Sequence, residues 1–220
     1  LIRRQRQMCI RDSPEAAELV RLAFDLSDRY RVPAMILADG MIGQMMEPVE
    51  LPEPVDPKDI PERPWAVTGA KGRPKNVITS FDLEPEGLKE MNLVLQETYR
   101  EIERNEVRWE EVETEDAELL IVAYGTMGRI AKTVVRLARQ EGIKVGLLRP
   151  ITLWPFPYEP VRKLAERVRT VLTVELSAGQ MWEDVRLAVE GRAETPFYGE
   201  LGGVVPPPKR ILEEVKKHAH

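Results

Sequence analysis

The chain has 220 residues, 43% hydrophobic and 31% charged, which is enough apolar side chain for one large or two small globular domains. A net charge of −5 and an isoelectric point near 5.4 argue against a nucleic-acid or anionic-membrane surface, which needs clustered Lys and Arg. The single cysteine excludes an intrachain disulfide, a thiolate zinc site and an iron–sulfur cluster held by this chain alone.

No apolar run approaches the roughly 18 residues of a membrane span, and no signal-like start is present, so a cytoplasmic protein is expected. The two histidines, His218 and His220, stand at the extreme C-terminus, where chains fray. A Ser-His-Asp triad, a Cys-His pair or a His-rich metal site would need a histidine inside the fold. Catalysis by this chain would therefore draw on a cofactor or a second chain.

Residues 1–13, LIRRQRQMCIRDS, hold four arginines and no periodicity. RQRQMCIRD resembles a translated sequencing adapter, so the segment is expected to be non-native or disordered, with a short basic arm as the alternative. Cys9 is given no role. From there Ser13 suits a cap, Pro14 the first helical position and Glu15 the positive end of the helix dipole. The helix would bury Leu19, Val20, Ala23, Phe24 and Tyr30. Pro33 then introduces a strand, Ala34 to Ala38, ending in Asp39-Gly40. One helix and one strand cannot bury a core, so residues 14–50 read as the end of a larger α/β domain whose beginning lies outside this sequence.

Residues 51–116 are expected to be a proline-rich linker and a long helix. Eight of the eighteen prolines fall between 47 and 85, which bars regular structure there. Trp65 and Val67 would anchor the linker. Lys71 and Arg73 sit in a turn-rich loop that lacks the Walker pattern, so a solvated loop is the reading. Leu88, Met91, Leu95, Thr98, Tyr99 and Ile102 then mark one face of an amphipathic helix.

The strongest pattern follows. Leu119 to Ala123 is an uninterrupted apolar run, the mark of a strand covered on both faces. Gly125 and Gly128 flank Thr126 and Met127 in a turn. Ile130, Ala131, Val134, Leu137 and Ala138 form a buried helix face, Gly142 ends it, and Val145 to Leu148 is a second strand. Helix Glu159 to about Val168 and strand Val171 to Val174 complete a βαβαβ series. Helices at about 181–190 and 210–217 close the domain. The fold class is thus α/β, with a parallel-sheet, Rossmann-like domain over 117–220.

Open α/β sheets bind ligands beyond the carboxyl ends of their strands, here Tyr124 to Gly128, Arg149 to Thr152 and Glu175 to Gln180. Gly125, Thr126 and Arg129 at a helix start are candidates for holding an anionic cofactor, with a plain tight turn as the alternative. Asp39 is a further candidate, with an ordinary Asp-Gly turn beside it. Glu175 is read as a cap or loop hydrogen-bond partner rather than an acid or base. RPITLWPFP (149–157) forces an extended path with apolar side chains. Arg149, Trp154 and Phe156 are therefore candidates for a partner interface, intradomain packing being the alternative. No catalytic or metal-binding residue is assigned. GxGxxG, Walker A, GxSxG and HExxH are absent.

ILADGMIGQMMEPVE (36–50), AYGTMGRIAK (123–132), GIKVGLLRPITLWPFP (142–157), VELSAGQM (174–181) and YGELGG (198–203) together resemble the alpha subunit of 2-oxoacid:ferredoxin oxidoreductases. The first motif resembles the branched-chain (3-methyl-2-oxobutanoate) type, with 2-oxoglutarate and pyruvate members as alternatives. The resemblance implies a transketolase C-terminal-like domain over 117–220, after the tail of a thiamine-diphosphate pyrimidine-binding domain. It implies oxidative decarboxylation of a 2-oxoacid to an acyl-CoA, with electrons passing to ferredoxin. Thiamine diphosphate and its Mg would be shared with a beta subunit and not bound by this chain alone. Coenzyme A would be co-substrate, and the iron–sulfur clusters would lie on partner subunits. The implied partners are beta, gamma and ferredoxin-like delta subunits and ferredoxin, with neither nucleic acid nor membrane. A reading of another class is a non-catalytic α/β assembly or nucleotide-binding module.

Overall fold

Order begins well before Ser13. In a computed structural model that describes residues 6–51, 53–79 and 81–219, Arg6–Cys9 form a strand, β1. Disorder, one of the two expectations for 1–13, therefore does not hold for residues 6–13, while residues 1–5 lie outside the described residues, as does His220. The reason is pairing rather than periodicity. β1 runs parallel to β2 (Ala34–Leu37), with Cys9 opposite Leu37, and antiparallel to β6 (Thr152–Trp154), with Met8 opposite Thr152.

Helix α1 spans Ser13–Tyr30, and its cap is Asp12 rather than Ser13: the Asp12 carboxylate accepts from the Glu15 N–H at 3.0 Å. The Glu15 carboxylate in turn accepts from the Arg11 N–H at 2.7 Å, a reciprocal arrangement close to a capping box. The buried face is Leu19, Ala23, Leu26 and Tyr30. Val20 and Phe24, expected inside, are 47% and 70% exposed.

The three central strands of a five-stranded sheet form where the apolar runs place them, and two edge strands are added to them. β3 (Trp109–Val112), β4 (Leu119–Ala123), β5 (Val145–Pro150), β7 (Thr170–Glu175) and β8 (Phe197–Gly199) lie in the order β3-β5-β4-β7-β8. β4 pairs parallel with β5 and β7, and β7 with β8, while β3 is an antiparallel edge. Every residue of β4, β5 and β7 is buried, because helices cover both faces.

One apolar layer gathers Ile121, Leu147 and Leu172 with α3 (Gly125–Gln140) and α6 (Pro208–His218). The other gathers Leu120, Val122 and Val171 with Phe156, α4 (Tyr158–Ala165) and α5 (Gln180–Val189). There is no glycine turn between β4 and α3, because the helix begins at Gly125 itself. Its far end closes as expected: Gly142 donates to the Arg139 carbonyl and Ile143 to that of Ala138, a Schellman pair.

Residues 1–49 and 100–220 make one compact unit and residues 50–99 another. The second unit contains a 3₁₀ turn at Pro57–Asp59 and otherwise irregular chain, until α2 (Pro85–Asn105) begins inside it and ends in the first unit. Of the face expected to be buried on α2, only Ile102 in its last turn is buried. Val67, expected as an anchor, is 72% exposed.

Candidate functional site

β4 departs from its two parallel neighbours in opposite directions, to β5 on one side and β7 on the other, so the carboxyl ends of β4, β5 and β7 surround the switch point of the sheet. Three of the four cofactor candidates meet there. The Asp39 carboxylate accepts from the Thr126 N–H at 3.2 Å, and its other oxygen accepts from the Met41 and Ile42 N–H groups at 3.1 and 3.0 Å. One carboxylate thus takes one N–H in the first turn of α3 and two at the start of the short 3₁₀ turn Ile42–Gln44. The helix N-terminus read as a possible anion site is filled by the chain's own anion. Arg129 lies apart and pairs with Glu47 at 2.7 Å.

The two glycines are explained by what passes over them. Gly125 has φ +55°, and a Cβ there would lie 3.2 Å from Cys9 Sγ and 3.6 Å from the Asp39 carboxylate. At Gly128 a Cβ would lie 3.0 Å from Cδ and 3.1 Å from Cγ of Arg149. Both positions permit close packing of side chains, where the sequence left a ligand and a plain turn open.

Arg149 and Phe156, candidates for a partner interface, are buried instead, at 2% and 4% exposure. The Arg149 guanidinium is held by both Glu15 oxygens at 2.6 and 3.1 Å and by Glu110 at 2.9 Å. Burial alone would raise the Glu110 carboxyl, but its hydrogen bonds from Lys132 and Arg149 outweigh burial and hold it below the ordinary value. Phe156 joins the α4–α5 layer and meets Tyr158 edge-on at 5.0 Å.

Trp154 is half-buried on the wall of an open groove of about 790 Å³, beyond the carboxyl end of β5, with Trp109, Pro155, Pro157, Tyr158 and Lys163. The sequence pointed to Trp154. It missed Trp109, which register sets opposite Pro150.

At the end of β7, Glu175 is fully buried and accepts from Ser177 Oγ at 2.6 Å and from the Met181 and Trp182 N–H groups at 3.1 and 3.3 Å. It caps α5, as expected. Burial, with the Glu175 charge beside it, pushes the Tyr124 hydroxyl up to about 12. Burial likewise pushes the Cys9 thiol up to about 12, so it is no thiolate nucleophile or ligand at neutral pH. Among the described residues no group of three or more His, Cys, Asp or Glu is placed to hold a metal ion. No helix there is long and apolar enough to cross a membrane.

Residues 117–211 match the family model of the pyruvate:ferredoxin oxidoreductase core domain II. Over 205 residues the chain is 46% identical to the ketoisovalerate oxidoreductase subunit VorB of Methanothermobacter marburgensis, a match covering 93% of this chain and 58% of that protein. The chain is similar to the 2-oxoacid:ferredoxin oxidoreductase family of subunits. It is also 31% identical over 224 residues to the 2-oxoglutarate synthase subunit KorA of Methanothermobacter thermautotrophicus, covering 89% of this chain and again 58% of the relative. It thus spans 58% of the length of these curated relatives.

The 2-oxoglutarate:ferredoxin oxidoreductase from Magnetococcus marinus, solved with 2-oxoglutarate, coenzyme A and succinyl-CoA bound, matches with a TM-score of 0.77 at 17% identity, over 98% of this chain and 42% of that one. A split-gene transketolase matches at 0.56 and 15% identity, over 97% of this chain and 57% of that one. These two likenesses establish the fold, an α/β domain of the transketolase C-terminal type.

Proposed function

We propose that this chain is part of the alpha subunit of a thiamine-diphosphate-dependent 2-oxoacid:ferredoxin oxidoreductase of the branched-chain type. The reaction would be oxidative decarboxylation of 3-methyl-2-oxobutanoate to its acyl-CoA, with electrons leaving through ferredoxin. The observation that carries this reading is the identity of 46% to VorB, against 31% to KorA.

The residues described do not fit thiamine diphosphate. The α3 N-terminus at the switch point already holds the Asp39 carboxylate, the α5 N-terminus holds that of Glu175, and among the described residues no acidic cluster stands there for a divalent ion. No catalytic step is assigned to a side chain of this chain. Its part in the reading is to supply a rigid α/β domain and a docking face for the beta, gamma and delta subunits that the resemblance implies. The aromatic groove around Trp109 and Trp154 supports such a face, since exposed tryptophan and tyrosine are enriched where proteins bind one another. The nucleotide-binding form of the alternative gains no observation, because the helix end it would use holds the Asp39 carboxylate.

Grafting tests the proposal. Residues 14–220 would replace the matching segment of M. marburgensis VorB and, separately, of M. thermautotrophicus KorA, each co-expressed with its own partner subunits. The expected outcome is coenzyme A-dependent viologen reduction in the VorB host on 3-methyl-2-oxobutanoate, and weaker activity in the KorA host on 2-oxoglutarate. A chimera that assembles in the VorB host and stays inactive defeats the enzyme reading, and better function in the KorA host defeats the branched-chain one.

A further inference from the structure

Neither apolar layer of the five-stranded domain contains a residue from 6–49, so its core is complete without them. Helix α1 buries its own apolar face on a neighbour from the same segment, β2. Several polar groups join the two. At one end of α1, Glu15 holds Arg149 of β5, and at the other the Tyr30 hydroxyl donates to Glu106 at 2.8 Å. Arg11 pairs with Glu110, Asp39 caps α3 and Glu47 pairs with Arg129. The β1–β6 ladder adds backbone bonds.

Among these ion pairs Glu15–Arg149 is the most deeply buried, with side chains 11% and 2% exposed. We propose that Arg149, threaded over Gly128 to Glu15, is a latch that holds residues 13–37 on the five-stranded domain, and that this segment opens as a unit when the latch is broken.

The physical reason is the asymmetry of a buried pair. Removing the guanidinium leaves the Glu15 carboxylate without its counter-charge, and the least costly relief is for water to reach it. Water arrives when α1 lifts away, and neither apolar layer loses a member residue when it does. The segment is then a cooperative unit of lower stability than the sheet it sits on. Gly128 belongs to the same device. A methyl group at that position would meet the Arg149 side chain and disturb the pair while leaving every charge in place. The inference stands on contacts alone and does not depend on the proposed enzyme activity.

Amide hydrogen exchange on the full chain, read by segment, tests it. In Arg149→Met, protection across 13–37 is expected to fall by about a hundredfold, with β4 and β7 unchanged. Gly128→Ala is expected to reproduce the pattern more weakly, and Arg149→Lys to recover part of the lost protection. Glu15→Gln is the milder second variant, since it lies outside both layers and leaves the sheet folded. Equal loss over 13–37 and the sheet strands in Glu15→Gln, or no loss over 13–37 in Arg149→Met, overturns the latch.

Discussion

The two sheets of this protein are held by different means. In the five-stranded sheet β4, β5 and β7 are buried along their whole length, and their Val, Leu and Ile side chains fill the two apolar layers, so burial does the work. In the three-stranded sheet β2-β1-β6, the strands come from three distant places in the chain, and every residue of β2 is only half-buried. Its attachment relies on carboxylates paired with Arg149, Arg129 and Arg11. An apolar core tolerates small shifts of its neighbours, whereas buried bidentate pairs fix one geometry and lose most of their worth when it is disturbed.

The largest way to break the contrast is at the centre of the apolar sheet. Ile121→Ala, in a fully buried position, should cost about 3–4 kcal/mol, read as a lower urea midpoint with unchanged slope. Trp154→Ala addresses the groove. Binding of the proposed beta partner should weaken by about 2 kcal/mol, while the isolated fold loses clearly less; equal losses would place Trp154 in internal packing.

Acid sharpens the comparison. The Glu110 carboxyl is held below its ordinary 4.5, so its contribution is fully present above that value and is lost as the pH falls through the depressed folded value. Protection of α1 should therefore drop before that of β4 when exchange is followed downward from pH 4.5.

Thr173 offers a change in the other direction. Its hydroxyl is fully buried in β7 without a hydrogen-bond partner, so Thr173→Val should stabilise the sheet by about 1 kcal/mol in the same urea titration. The smallest effect belongs to Phe24. At 70% exposure, Phe24→Ser should move stability by less than about 0.5 kcal/mol, whereas a buried phenylalanine would cost several times that.

The same division explains what could be read from the chain alone. β4, α3, β5 and β7 announce themselves by apolar run or helical period, because each is covered by neighbours close in sequence. β1, β3, β6 and β8 have three or four residues each and no period of their own. Their only cause is pairing with strands far along the chain, which local pattern does not carry. On α1 the sequence reading put Val20 and Phe24 inside and passed over Leu26, because adjacent apolar stripes on a helix differ only in the partner surface they meet.

The candidate site follows suit. Glu175 could be read as a cap because its partners lie six and seven residues away, at Met181 and Trp182. Asp39 and Thr126 are separated by 87 positions, and Glu15 and Arg149 by 134. Nothing local marked either pair, and glycines that make room for a distant side chain look the same as glycines that make room for a ligand.

The carboxylate of Asp39 has a practical consequence for anyone screening this protein with phosphates. A free anion approaching α3 competes with one that is covalently tethered, and so present at an effective concentration of millimolar order or higher. Inorganic phosphate or a nucleotide at micromolar levels would leave that helix end as it is, and replacing Asp39 with alanine would be the way to turn a self-closed cap into an open receptor.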